Sequence, residues 1–568
     1  MEKTKLIRGA DAIINALREE GVTFVAGITG ASMFEMFDAL DGVPEIKTIV
    51  ARHERCAVDI ADGFARVTGN PGVAMCVQGP GGANAFAGIA NAFADSVPVL
   101  LLQGMLHQHN VDRGALQDTD MMFVYTNVVR WKSEITNIER VPEMMRRAFS
   151  VLTATRPRPV VLGVPSNVAA ATIESDKITY EPIKQRRLYF RPAHDDVERA
   201  AQVLLSAHQP LIYAGAGVLW ANASDELKEL AELLGAPVMT TALGKGAISE
   251  RHPLSLRVGG FPVSTYAHKA ALEIFPRADV VLVIGASFKQ MATRYLPVPS
   301  KPKLVQIDAD PAEFNKHYPT EVALLGDARS ALKDLIAAVK EYLKQPRDWK
   351  EIATEIAELH KEEDAYWYPF LTSNKVPISP HRLIYELMQV VNPDDVILLN
   401  DSGSSRGFVI HQWVATNPRG VLAFGGQSSL GWSMGACIGA KLGAPGKHVI
   451  NLMGDGAFGM TGMELNTAVR YGIKTITIVI NNGVFGLSMG AATRILGHQP
   501  QTWQSFKLSD DYATIAKGMG AIGLRVERPE ELRGAFEKAL KAEGPVVIDV
   551  KTDAFAKDVT IVGGAKGV

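Results

Sequence analysis

Gly454-Asp455-Gly456-Ala457-Phe458 closes the apolar run Val449–Met453, and Asn481-Asn482 closes a second run, Thr475–Ile480. Asp455 offers a hard anionic oxygen, and Asn482, 27 residues further on, a neutral amide oxygen. Magnesium commonly takes one or two protein oxygens and fills its octahedron with phosphate oxygens and water. Glycines at 454 and 456 remove side chains, so backbone N–H groups can face a diphosphate. A Gly-Asp-Gly triplet alone is a common turn. Two such clusters at the ends of apolar strands, with the helical stretch Met463–Tyr471 between them, point to a metal–diphosphate site. Ligands of open parallel sheets bind beyond the carboxyl ends of the strands, which is where both clusters fall.

A second acid stands far upstream. His53-Glu54-Arg55 follows the strand-like run Ile46–Val50, and Glu54 opens the helical stretch Ala57–Arg66. An acid there serves as a helix-dipole partner or as a chemical group. A third element is Ser428-Ser429-Leu430-Gly431-Trp432-Ser433-Met434-Gly435, a large apolar residue ahead of a Gly-rich turn.

Positioning these residues requires sheets. Short apolar runs recur at Val73–Val77, Val99–Gln103, Val160–Val164, Pro210–Ala214, Asp279–Ile284 and Lys303–Ile307. They resume at Asp395–Leu399, Lys447–Leu452, Thr475–Ile480 and Pro545–Val550. Such runs suit parallel strands buried on both faces, and helical stretches such as Gly9–Glu20 and Asp225–Leu234 lie between them. The alternation predicts an α/β protein of doubly wound parallel sheets. Thr172–Pro192 reads as a linker, and the polar stretch Tyr342–Pro380, helical over Asp348–Glu363, as a second one. Three domains follow: 1–185, 190–345 and 365–556. The segments beginning near Ala61 and Ala436 both run helix, glycine turn, buried strand, glycine-rich end, so the first and last domains read as internal relatives.

Bulk composition is that of a globular chain: 568 residues, 47% hydrophobic, 21% charged, net charge −2. No basic excess marks a nucleic-acid footprint or a membrane anchor, and no apolar stretch is long enough to span a bilayer. Three cysteines, Cys56, Cys76 and Cys437, lack metal-ligand spacing and read as core thiols of a cytoplasmic protein.

Asp455, Asn482, Glu54 and the segment at 428–435 together resemble the thiamine-diphosphate enzymes. The resemblance is to the acetohydroxyacid synthase, pyruvate oxidase and 2-oxoacid decarboxylase superfamily, closest to acetolactate-synthase-like members. It covers nearly the whole chain and implies a pyrimidine-binding, a middle and a diphosphate-binding domain. By that resemblance Asp455, the Asn482 side chain and the Val484 carbonyl ligate magnesium. Gly403, Ser404, Ser405, Gly454, Gly456 and Ala457 lie against the diphosphate, and Phe485, Gly486 and Leu487 complete the cofactor contacts. Glu54 meets N1′ of the aminopyrimidine, Leu430 props the bent cofactor, and the Ser428 carbonyl accepts from the 4′-amino group. Gly30, Ala31 and Gln117 face the substrate, with Gln78 nearby. Because Glu54 and Asp455 belong to different domains, the resemblance implies a homodimer at least, and a homotetramer as a dimer of dimers.

The leading activity implied is decarboxylation of a small 2-oxoacid and transfer of the enamine to a second carbonyl. Alternatives are a lyase of 2-hydroxyacyl-CoA or oxalyl-CoA decarboxylase type, and a simple 2-oxoacid decarboxylase. Ala491 stands where acetohydroxyacid synthases place a Trp that selects the second 2-ketoacid. Ala214-Gly215-Ala216-Gly217-Val218 lacks the third glycine of a dinucleotide fingerprint. Ser287 and Met291 replace the arginines that hold FAD in flavin-binding relatives, so FAD, an ADP-like ligand or neither fits the middle domain.

Overall fold

The computed structural model describes residues 6–185, 187–260, 267–289, 302–423, 425–498, 505–508 and 511–556. Three six-stranded sheets carry the chain, and every pairing within them is parallel. In the first, the spatial order is Lys47–Val50, Phe24–Gly27, Gly72–Cys76, Val99–Met105, Val160–Pro165, Trp131–Glu134. In the third it is Val421–Leu422, Val396–Asn400, His448–Gly454, Thr475–Asn481, Val546–Lys551, Ile522–Val526. Numbered within each sheet, both orders are 2-1-3-4-6-5. The two sheets are therefore one winding used twice, as the paired motifs near Ala61 and Ala436 suggested. The middle sheet instead runs 3-2-1-4-5-6, with Pro210–Ala214 and Val280–Ile284 adjacent at its centre. The strand order changes sense at that point, leaving a crevice beyond the strand ends.

Central strands are apolar on both faces, Leu100, Leu101 and Leu102 being fully buried, because helices cover each side. Besides Phe24–Gly27, a buried interior strand of the first sheet, the strands of these sheets absent from the sequence reading are short or at a sheet edge: Trp131–Glu134, Val238–Thr240, Ser255–Val258, Val322–Leu325, Val421–Leu422 and Ile522–Val526. Trp131–Glu134 reads Trp-Lys-Ser-Glu with every residue half-buried, so it has no continuous apolar signal. The proposed linker at 172–192 needs correction. Thr172–Glu174 pairs antiparallel with Leu6–Arg8 and closes the first unit on itself. The second linker carries a helix, Lys350–Leu371, longer than the Asp348–Glu363 reading.

That helix ties the middle and third sheets together. Glu363 on it accepts from His268 Nδ1 at 2.9 Å, and His411 Nε2 lies 3.2 Å from its other oxygen. The two imidazoles stack with centroids 4.2 Å apart and planes 19° from parallel. Burial would raise the Glu363 carboxyl, but the two histidines outweigh it and hold it below the usual range. Cys56, Cys76 and Cys437 are buried and unbridged. Among the described residues, no helix is long and apolar enough to cross a membrane.

The first and third units meet along helices Glu54–Thr68 and Trp432–Gly443. A Cβ on Gly439 would lie 1.8 Å from the Ile60 carbonyl oxygen, and one on Gly63 2.0 Å from that of Ala436. The obstacle is backbone on both sides, so neither helix can yield cheaply. Gly439→Val should destabilise the fold by about 3 kcal/mol or more. Urea unfolding followed by circular dichroism checks this; an unchanged midpoint would refute the close packing.

Candidate functional site

Three neighbouring strands of the third sheet, Val396–Asn400, His448–Gly454 and Thr475–Asn481, end side by side. Asp455 follows the middle one and is 3% exposed. Its Oδ1 accepts the Gly456 N–H at 2.9 Å and its Oδ2 the Gly483 N–H at 2.7 Å. Asn482 Oδ1 accepts the Val484 N–H at 3.1 Å. A Cβ on Gly486 would stand 2.8 Å from Asn482 Nδ2 and 3.5 Å from Ser404 Oγ, so these strand ends converge there. Gly456 is needed for the same kind of closeness, its Cβ position lying 2.5 Å from the Phe485 ring. Burial pushes the Asp455 carboxyl up to about 6, with the Gly456 and Gly483 N–H groups pulling the other way. The oxygens of Asp455, Asn482 and the Val484 carbonyl form a hard donor set suited to a magnesium-like cation. A cation would supply the charge that burial opposes.

A second cluster gathers at the carboxyl edge of the first sheet. Glu54, buried, begins helix Glu54–Thr68 and accepts from Asn84 Nδ2 at 3.0 Å. Gly30 abuts Val77, where a Cβ would approach to 2.5 Å. Ala31 and Ser32 follow, and Ser32 Oγ accepts the Gln78 N–H at 3.3 Å. Gln78 Nε2 in turn donates to the Gln117 carbonyl. Gln117 holds a left-handed φ of 66°, a costly backbone for a side chain of this kind. Among the described residues no hydrogen bond or ion pair joins Glu54 to Asp455: each acid finds its partners on its own sheet's edge.

Residues 425–433 arch beside the third-sheet cluster. Ser428, itself left-handed at φ 53°, places Oγ 2.8 Å from Ser402 Oγ. Leu430, partly buried, packs against the apolar cluster that includes Met434, Met453 and Ala457. Asp401, which the motif search passed over, organises this loop. It accepts the Gly431 and Ser433 N–H groups at 2.8 and 2.9 Å and the Ser433 hydroxyl at 2.6 Å. Burial pushes its carboxyl up, and these donors oppose that. Also missed were Arg55, Asp59, Asp62 and Arg66, a charged stripe on one face of a helix. Arg55 Nη2 donates to the Ser429 carbonyl at 3.3 Å, and Asp62 accepts from Trp432 Nε1 at 3.0 Å. Their spacing of four, three and four residues in a largely apolar helix was the available signal.

The middle sheet has its own cavity, about 460 Å³, over the crevice between Pro210–Ala214 and Val280–Ile284. Gly215, Gly217 and Gly285 floor it; a Cβ on Gly217 would lie 2.5 Å from Gly285 Cα. Arg156, Lys289 and Arg406 line it, and Arg156 Nη2 donates to Ser287 Oγ at 2.9 Å. The other position read against flavin-binding relatives, Met291, lies outside the described residues.

Comparison with known proteins gives a consistent result. Residues 7–123 match the family model of the thiamine pyrophosphate enzyme N-terminal TPP binding domain, 197–335 that of the central domain, and 401–550 that of the C-terminal TPP binding domain. The chain is 33% identical to a probable acetolactate synthase large subunit of Methanocaldococcus jannaschii, across 96% of this chain and 92% of that one. It is 28% identical to the acetolactate synthase isozyme 3 large subunit of Escherichia coli, across 97% and 95%. With the mitochondrial catalytic subunit of acetolactate synthase from Saccharomyces cerevisiae the identity is 27%, across 99% and 83%.

The raised carboxyl at Asp455 fixes a pH dependence. Without a cation the folded state favours the protonated acid, so this group's contribution to stability falls as pH rises from the ordinary carboxylate range to about 6, then levels. Cation binding needs the ionised form, so magnesium affinity should fall about tenfold per pH unit below 6 and be flat above it. Calorimetric titration with magnesium and thiamine diphosphate measures this; a profile flat down to pH 4.5 would contradict it.

Proposed function

The chain belongs to the thiamine pyrophosphate enzyme family, and from that premise we propose an acetolactate-synthase-like carboligase that decarboxylates a small 2-oxoacid and joins the remaining acyl fragment to a second carbonyl. The observation that carries this reading is the pair of polar clusters, one around Glu54 and one around Asp455, on two sheets of identical strand order. When bound, thiamine diphosphate supplies the electron sink that decarboxylation requires.

The chain's own residues do the rest. Asp455, Asn482 and the Val484 carbonyl would hold magnesium, and Ser404, Ser405 and Gly456 would face the diphosphate it neutralises. Leu430 and the Ser428 carbonyl would set the bend of the coenzyme. Glu54 would hold a proton against the aminopyrimidine ring, with Asn84 orienting its carboxylate at 3.0 Å. Gly30, Ala31 and Gln117 would shape the space for the donor, and Gln78 fixes the Gln117 backbone.

Bringing Glu54 to Asp455 calls for a second copy, a homodimer or a dimer of dimers. Large apolar side chains near both clusters support that: Leu116 is 85% exposed, Phe123 73% and Met463 62%. Division at 1–185, 190–345 and 365–556 and a cytoplasmic location complete the reading. The middle cavity, whose lining carries four basic and three acidic side chains, is the proposed place for a nucleotide, FAD or ADP. A second reading, a lyase of 2-hydroxyacyl-CoA or oxalyl-CoA type, is favoured by Ala491, a small half-buried residue in helix Gly486–Leu496 at the position where acetohydroxyacid synthases place a Trp.

A panel of pyruvate, glyoxylate, benzoylformate, oxalyl-CoA, and formyl-CoA with an aldehyde, read by mass spectrometry, separates these. Acetolactate from pyruvate is the expected product, and conversion of the acyl-CoA substrates alone would favour the lyase. Glu54→Gln should lower turnover by about 100-fold with coenzyme still bound. Undiminished turnover in that variant would remove the proposed role of Glu54.

A further inference from the structure

The loop that carries Ser428 and Leu430 has an anchor outside both polar clusters. Asp95, the last residue of helix Pro80–Asp95, is buried with its side chain 2% exposed. Its Oδ2 accepts the Gly425 N–H at 2.7 Å and its Oδ1 the Gly426 N–H at 2.9 Å. Arg66 Nη2 stands 3.2 Å from Oδ2, and Lys289 Nζ 3.0 Å from Oδ1. Burial alone would raise this carboxyl, but Lys289, Arg66 and the two backbone donors outweigh it and keep it ionised. Arg66 also donates to the Ala423 carbonyl at 2.8 Å and lies over the Trp432 ring at 4.8 Å. One buried carboxylate and its cation thus hold the backbone on the way into Ser428 and at the start of the next helix.

Asp95 also borders the middle cavity. Asp95, Lys289, Gly425 and Gly426 all line it, and the Lys289 side chain remains 31% exposed there. An anion entering the cavity therefore meets an ammonium already engaged with Asp95. Charge-assisted hydrogen bonds to a buried group are strong and directional, so a change in that engagement reaches Gly426, two residues from Ser428.

We propose that Asp95 is a positioning residue for coenzyme binding, and that its pairing with Lys289 links the contents of the middle cavity to the setting of the coenzyme loop. The inference rests on the thiamine diphosphate reading above. By reciprocity, a coenzyme seated against the loop changes the cavity's affinity for an anion by the same factor as the anion changes coenzyme affinity.

Equilibrium dialysis of the full chain with thiamine diphosphate and magnesium tests it, comparing the parent with Asp95→Asn and Lys289→Met. The amide keeps the size of Asp95, loses its charge, and turns N–H bonds toward glycine N–H donors. The dissociation constant should rise about tenfold or more in Asp95→Asn. It should rise about threefold in Lys289→Met, where a partly exposed pair is lost. Urea unfolding of the coenzyme-free variants is the control, since a merely structural role lowers that midpoint without altering affinity of the folded protein. A folded Asp95→Asn chain with parental affinity overturns the proposal. Parental affinity in Lys289→Met overturns the link to the cavity, and it decides against the whole proposal if Asp95→Asn does not fold. A parent chain that takes up no coenzyme refutes the functional reading, and this inference with it.

Discussion

Asp455 sits where burial opposes its charge and two backbone N–H groups partly restore it. In the proposed reading a cation would complete this carboxylate, with oxygens from the neighbouring strand ends as its other ligands. The fold follows from that need. Only a parallel sheet brings several strand ends, each followed by a polar loop, to a single edge. Gly456 and Gly486 permit the approach, since a side chain at either would collide with Phe485 or Asn482. Glu54 occupies the corresponding edge of a sheet with the same strand order, so one architectural solution provides both polar clusters.

Much of this was legible in the sequence. Central strands such as Pro210–Ala214 and Thr475–Asn481 announce themselves because burial on both faces demands continuous apolar runs. Helix Glu54–Thr68 was legible from its periodicity, and the Asp455 and Asn482 clusters from their spacing. Most edge strands were not, being short or of mixed residues, Lys47–Val50 within the run Ile46–Val50 being the exception. Trp131–Glu134 is the clearest example. Thr172–Glu174 looked like linker because its partner, Leu6–Arg8, lies more than 160 residues away and no local pattern reports the pairing.

Within the site, the motif residues were visible and their supports were not. Asp401 gives no signal beyond a polar residue after a strand, yet it fixes Gly431 and Ser433. Arg55, Asp59, Asp62 and Arg66 carry no sequence sign of burial, since charges on a helix face ordinarily meet water. In the structure Asp59 and Asp62 are fully buried and Arg66 nearly so, because the helix crosses the third unit and faces its loop. Tertiary packing decides whether a charged stripe meets water or a backbone carbonyl, and no single segment of sequence contains that information.

The central claim is that Glu54 of one chain and Asp455 of another serve the same coenzyme. Mixing two inactive variants tests it most directly: Glu54→Gln and Asp455→Ala chains unfolded and refolded together, then assayed for the product found with the parent. Random pairing of the two chains should restore about a quarter of parental activity, since half the dimers would be mixed and each mixed dimer would hold one intact site. If both acids of a site came from one chain, every site would carry a defect, and the mixture would stay as inactive as its components.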